Sequence, residues 1–129
     1  MQKIFEPRQF FDAAEYLREK ADSELIKGDD GYLRSSISRY YYAAFISTRD
    51  KFGRTSRGAS GHKDVLDFIA SQRNDSEQGL KFKAVYDNLI ALKELREKAD
   101  YESASNCATK DGRKSKSLSE QVLTTLSSI

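Results

Sequence analysis

A chain of 129 residues holds one hydrophobic core comfortably and two only with difficulty. Three valines and one proline, against eleven leucines and twelve alanines, argue against a sheet-rich fold. The single Cys107 excludes an intrachain disulfide, and the single His62 excludes a metal site built on paired imidazoles. No cofactor or metal is expected. No apolar run reaches the length of a membrane span, and residues 1–7 carry no hydrophobic signal segment. The composition therefore reads as one cytoplasmic domain spanning residues 1–129, with no membrane association. The net charge of +2 is nearly neutral but unevenly spread.

Behind Pro7, the spacing of Phe10, Ala14, Leu17, Ala21 and Leu25 predicts a first helix, ended by Gly28-Asp29-Asp30-Gly31. A second stripe runs Leu33, Ile37, Tyr41, Ala44, Thr48 and Phe52, closed by Gly53. Residues 53–61 read as a glycine-rich loop, followed by a short third helix over about 62–73 with Val65, Leu66 and Ile69 inward. A fourth, long helix is predicted over about 77–101, its face formed by Phe82, Val85, Leu89, Leu92, Arg96 and Ala99. Residues 102–117 are poor in apolar side chains and read as a loop, leaving a last helix over about 118–129 with Val122, Leu123 and Leu126. The fold class is all-α: an antiparallel up-and-down bundle of four to five helices.

Four features depart from a plain bundle. Arg96 stands where the stripe of the fourth helix calls for leucine. A buried guanidinium needs a partner, and Asp100 lies one turn on. Such an Arg either snorkels, tethered to Asp100, or opens onto a groove where it meets phosphate or a second subunit. Tyr40-Tyr41-Tyr42 covers about 200° of a helix, more than one core face can take. Tyr42, Ile46 and Arg49 form a second stripe, which suits either another helix of the bundle or a subunit interface.

The segment 51–63 carries Lys51, Arg54, Arg57 and Lys63 with no acid, a basic loop suited to a phosphate backbone or simply to solvent. Its Gly53 and Gly58 have P-loop spacing, but Ala59-Ser60 replaces the required Lys-Ser/Thr and no strand precedes them, so a P-loop is rejected. His62, with no cysteine or second histidine near it, reads as a capping or packing residue at the start of the third helix.

Three ordered segments resemble one family. Ser38-Arg39-Tyr40-Tyr41-Tyr42-Ala43-Ala44-Phe45 is similar to the S-R-x-Y-Y-A-x-F segment of HEPN domains. Gly61-His62-Lys63, followed by Val65 and Phe68, resembles that family's entry into its middle helix. Leu95-Arg96-Glu97-Lys98-Ala99-Asp100-Tyr101 resembles the L-R-x-x-A-D-Y ending of the long helix in one branch. The resemblance implies a helical bundle, commonly a homodimer, in RNA- or nucleotide-directed systems such as toxin–antitoxin pairs with nucleotidyltransferase partners, or phage defence. Active members are metal-independent ribonucleases with an Arg and a His separated by four to six residues. Here the positions after Arg96 that should hold the His are Tyr101, Glu102 and Ser103.

The expectation is thus a non-catalytic binding or accessory subunit. RNA or nucleotide would meet Arg39, Arg54, Arg57, Lys63, Arg96, Asp100 and Tyr101, with Tyr42, Ile46 and Arg49 at an interface. One alternative is a divergent ribonuclease toxin using Arg96 with His62 or Tyr101. The other is a protein-interaction subunit of a nucleotidyltransferase.

Overall fold

The computed structural model describes residues 6–23, 31–54, 58–75, 77–101 and 109–129. They form α1 (Arg8–Ser23), α2 (Gly31–Lys51), α3 (Gly58–Ser71), a short 3-10 helix (Gln72–Asn74), α4 (Gly79–Tyr101) and α5 (Thr109–Ser127). The all-α bundle is as expected, and no strand occurs among the described residues. No helix among them is long and apolar enough to cross a membrane.

Two boundaries differ from the sequence reading. α3 begins at Gly58, so Gly58 to Gly61 belong to a helix and His62 sits inside it rather than at its start. α5 begins at Thr109, nine residues before the predicted start at 118, so 109–117 is helix rather than loop. The reason is visible on its inner face. Asp111, Gly112, Ser115 and Ser119 are buried, small or polar, and hydropathy periodicity is blind to them. A Cβ on Gly112 would come within 2.8 Å of Leu33 Cδ1, so α5 lies close against α2 there. The Ser119 hydroxyl donates to the Tyr40 carbonyl at 2.8 Å. The expected α1 stripe is slightly rotated, with Phe11 and Ala14 buried and Phe10 half-buried. Leu25, Arg57 and Cys107 lie outside the described residues.

α2 is the central element. Its buried set covers more than half of the helix circumference, including Ile37, Tyr40, Tyr41, Ala43, Ala44 and Phe45. Such a helix must be walled on several sides, and α1, α4 and α5 supply the walls. Long-range bonds set the directions. Arg34 reaches the carbonyls of Lys98 and Ala99 at the far end of α4, and Tyr40 meets Glu15 and Arg18 of α1. α4 therefore runs antiparallel to α2, and so does α1, since Ala21 near its end packs on Leu33 and Ile37 near the start of α2 while Phe10 near its start meets Tyr42 farther along. The main core joins Tyr41, Ala44 and Phe45 to Val65, Leu66 and Ile69 of α3, to Phe82, Val85, Leu89 and Leu92 of α4, and to Val122 and Leu126 of α5.

A partly buried polar network fastens the α1 side. The Tyr40 hydroxyl donates to Glu15 and accepts from Arg18 Nε, while Lys116 of α5 pairs with Glu15 at 3.2 Å. Burial raises the Tyr40 phenol well above its ordinary value, and the adjacent Glu15 carboxylate raises it further. It is therefore a neutral donor at any physiological pH.

The turn into α4 is capped by Asp75, whose carboxylate accepts from the backbone N–H groups of Glu77 and Gln78 at 2.9 and 2.8 Å. Gly79 follows, and a Cβ there would stand 2.4 Å from the Arg73 carbonyl oxygen. That atom is backbone and cannot swing away. Gly79→Ala should destabilise the fold by roughly 1–3 kcal/mol, because the overpacking outweighs the gain of about 1 kcal/mol in helix propensity. Urea unfolding monitored by circular dichroism checks this: a lowered midpoint is expected, and a midpoint equal to wild type would contradict the close approach.

Candidate functional site

The site is built where the middle of α2, the first half of α3 and the end of α4 meet. Arg96 keeps the place in the α4 stripe that its spacing assigns, its side chain only 11% exposed. Three tyrosine rings surround the guanidinium carbon, with centroids 5.4 Å away for Tyr41, 5.3 Å for Tyr42 and 5.3 Å for Tyr101. Its Nε donates to Asp100 at 3.2 Å and its Nη2 to the Tyr101 hydroxyl at 2.8 Å. Nη1 has no hydrogen-bond partner among the described residues. Burial works against the charge, but Tyr42, Tyr101 and Asp100 more than offset it and hold the Arg96 pKa above its ordinary value. Of the two expected roles of Arg96, the tether to Asp100 is observed, and Nη1 is left without a protein partner among the described residues.

Asp100 is itself positioned, accepting from the Ser38 hydroxyl of α2 at 3.2 Å. One turn earlier on α2, Arg34 donates to the last carbonyls of α4, at 3.3 Å for Lys98 and 3.1 Å for Ala99. A cation bound to the C-terminal carbonyls of a helix satisfies orphan acceptors and complements the helix dipole. α2 therefore fixes the segment that carries Arg96, Asp100 and Tyr101.

His62 comes to the same place from α3. Its Nδ1 lies 2.6 Å from the Tyr41 hydroxyl, and its ring stacks on Phe45 with centroids 4.2 Å apart and planes 7° off parallel. Tyr41 and Phe45 are one turn apart on α2 and themselves stacked at 5.7 Å, a ring ladder into which the imidazole slots. Burial lowers the His62 pKa below its ordinary value, and the charges of Arg96 and Lys93 lower it further. Arg96 and His62 are thus near neighbours in one chain, joined through Tyr41: one over its ring, the other on its hydroxyl. Burial raises the Tyr41 phenol above its ordinary value, so its proton stays on.

The remaining sequence candidates separate into two groups. Arg39 is exposed on α2, over the Phe10 ring at 5.5 Å, and Phe10 in turn meets Tyr42 at 6.1 Å, so Arg39 adjoins the cluster. Arg54 instead forms a two-pronged pair with Asp64 at 3.0 and 2.8 Å and lies over Phe68, and Lys63 pairs with Asp67 at 2.6 Å. The acid-free window 51–63 ends just before the two carboxylates that neutralise it. Tyr42 and Ile46 are half-buried against the chain's own core, and Arg49 pairs with Asp50 at 3.1 Å. Tyr42 meets three other helices, at Phe10, His62 and Arg96, which is the intrachain reading of the second stripe.

The sequence assigns no site role to Phe45, Phe10, Ser38 or Lys93, although Phe10 stands in the first stripe and Ser38 and Phe45 in the family-like segment. Phe45 was findable, since its spacing from Tyr41 puts the two rings on one face. No group of three His, Cys, Asp or Glu among the described residues is placed to hold a metal. What the arrangement can do chemically is hold an anion at a pre-oriented guanidinium beside a neutral imidazole.

Comparison with known proteins places the chain in one family. The uncharacterized protein MJ0628 of Methanocaldococcus jannaschii is 32% identical over 126 residues, covering 85% of this chain and 71% of the relative. The chain belongs to the family of that protein. No family model matches it, and no solved structure does.

Because the folded pKa of His62 lies below its unfolded value, the unfolded chain takes up a proton that the folded chain refuses. Above the ordinary value of 6.5 the residue contributes nothing to pH dependence; below it stability falls as pH drops, until the folded pKa is reached. His62 is the one histidine of the chain, so a His62→Gln variant should show a flatter stability profile as pH falls below 6.5. Denaturant midpoints at several pH values test this, and identical slopes would contradict it.

Proposed function

We propose that the chain is a cytoplasmic HEPN-like module of an RNA- or nucleotide-directed system, of toxin–antitoxin or defence type, that binds a phosphate-bearing ligand at Arg96. A second copy, or a nucleotidyltransferase-type subunit, belongs to the same reading as partner. The observation that carries it is the convergence of Arg96 and His62 on Tyr41. A guanidinium in an apolar stripe is costly unless its donors are paired, and this one keeps Nη1 without a protein partner among the described residues. Planar guanidinium donors match phosphate oxygens in geometry and charge.

Binding without turnover is favoured by the state of the imidazole. Strand cleavage by a ribose 2′-hydroxyl needs a base to take its proton and an acid to protonate the leaving 5′-oxygen. The chain has one imidazole, shifted toward its neutral form, and Tyr41 keeps its own proton. The same convergence nonetheless gives the ribonuclease reading its one specific support. With Nδ1–H donated to Tyr41, Nε2 of His62 would be the base, and Arg96 would stabilise the charge developing on phosphorus-bound oxygen.

Fluorescence anisotropy with a labelled RNA, at increasing salt, tests the proposal. Wild type should weaken steeply with salt, and Arg96→Gln should bind about ten-fold more weakly with its thermal midpoint retained. Affinity indifferent to both would contradict it. RNA that stays intact supports the binding module; cleavage lost in both Arg96→Gln and His62→Gln would instead select the ribonuclease.

A further inference from the structure

Five side chains from three helices follow one another across the face that carries the site. Arg39 of α2 lies over the Phe10 ring of α1 at 5.5 Å. Phe10 meets Tyr42 of α2 at 6.1 Å, with the planes tilted by 38°. Tyr42 lies 5.3 Å from the guanidinium of Arg96 on α4, and Arg96 holds the Tyr101 hydroxyl at 2.8 Å. The order is cation, ring, ring, cation, ring. Arg39 is exposed and Tyr101 is 70% exposed, so both ends of the row are open, while Tyr42 and Phe10 are half-buried.

Tyr101 is the unusual member. A large aromatic ring 70% in water at the last turn of a helix gives up apolar burial, yet its hydroxyl is fixed by Arg96. A ring held in place with its face in solvent is a stacking platform, and base–aromatic stacking tolerates any base because every base has a π-face. One phosphate needs one guanidinium; two guanidiniums separated by rings fit a ligand in which phosphates and bases alternate. A duplex hides its base faces, and a mononucleotide offers only one phosphate-bearing end. The acids on this face do not cancel the row. Asp100 is engaged by Arg96 Nε and Ser38, and Glu97 pairs with Lys93 at 3.8 Å.

We infer that the row Arg39–Phe10–Tyr42–Arg96–Tyr101 is a binding track for single-stranded nucleic acid of at least two nucleotides, in which Tyr101 stacks a base beside the phosphate held by Arg96 and Arg39 takes a neighbouring phosphate. This rests on the phosphate-binding reading of Arg96 and names its ligand class.

The test uses a fluorescein-labelled hexanucleotide RNA, 2′-O-methylated so that no 2′-hydroxyl can attack, with the same sequence as a duplex and uridine monophosphate as competitor. The single strand should bind best, with the duplex and the mononucleotide each about ten-fold weaker or worse. Tyr101→Leu and Arg39→Ala should each weaken the single strand about ten-fold, while Tyr101→Phe, which keeps the ring, should stay within about three-fold of wild type. Thermal midpoints matching wild type show that these surface variants fold. Binding that depends on Arg96 but is unchanged in Tyr101→Leu and Arg39→Ala overturns the track and leaves the phosphate site standing. So does a duplex or mononucleotide bound as tightly as the strand. Failure of every nucleic-acid probe to bind wild type overturns the underlying reading, and the track with it.

Discussion

The guanidinium of Arg96 sits in the apolar stripe of α4, and the desolvation it meets there has to be answered by its neighbours. Three tyrosine faces, one carboxylate and one phenol hydroxyl do so, and all but those of Tyr101 are held by something else. Tyr41 and Tyr42 are set by α2, whose central position is enforced by burial on several sides. Asp100 is steadied by Ser38, and the end of α4 is fastened to α2 by Arg34. Removing the charge would therefore disturb a local network rather than a single pair, which is the usual behaviour of polar groups in low dielectric.

Tyr41 is the hinge between the two groups with chemistry. Its ring faces the cation, and its hydroxyl meets the imidazole. Because burial keeps the phenol protonated, the hydroxyl can donate to Nδ1 or accept from it, and that choice decides whether Nε2 of His62 is a donor or an acceptor. A donating Nε2 adds a second donor beside the phosphate site proposed at Arg96. An accepting Nε2 is what a general base requires. The lowered His62 pKa favours the neutral ring, and either neutral tautomer satisfies the Tyr41 contact.

Much of this was legible in the sequence. The stripe through Phe82, Val85, Leu89, Leu92 and Ala99 is buried as its spacing requires, and Arg96 was conspicuous because it interrupts that stripe. The Tyr40-Tyr41-Tyr42 run announced a helix with more than one packed face, and each ring has found a different environment: Glu15 and Arg18, His62, and Phe10 with Arg96. Less legible was whatever periodicity does not record. The inner face of α5 opens with Asp111, Gly112 and Ser115, so apolar periodicity places its start more than two turns late. The charge of residues 51–63 looked unopposed only because Asp64 and Asp67 lie just past its end. The meeting of His62 with Arg96, thirty-four positions apart by their numbers, depends on how α3 lies on α2 and α4, and no local pattern encodes that.

The central claim, that one chain brings His62 within the electrostatic reach of Arg96 through Tyr41, is tested most directly by following His62 itself. It is the one histidine of the chain, so its imidazole resonances in an NMR titration need no assignment. The pKa should lie below 6.5 in wild type and rise in Arg96→Gln, since removing the neighbouring cation relieves part of what holds it down. A His62 pKa at its ordinary value, or one indifferent to the loss of Arg96, would contradict the account.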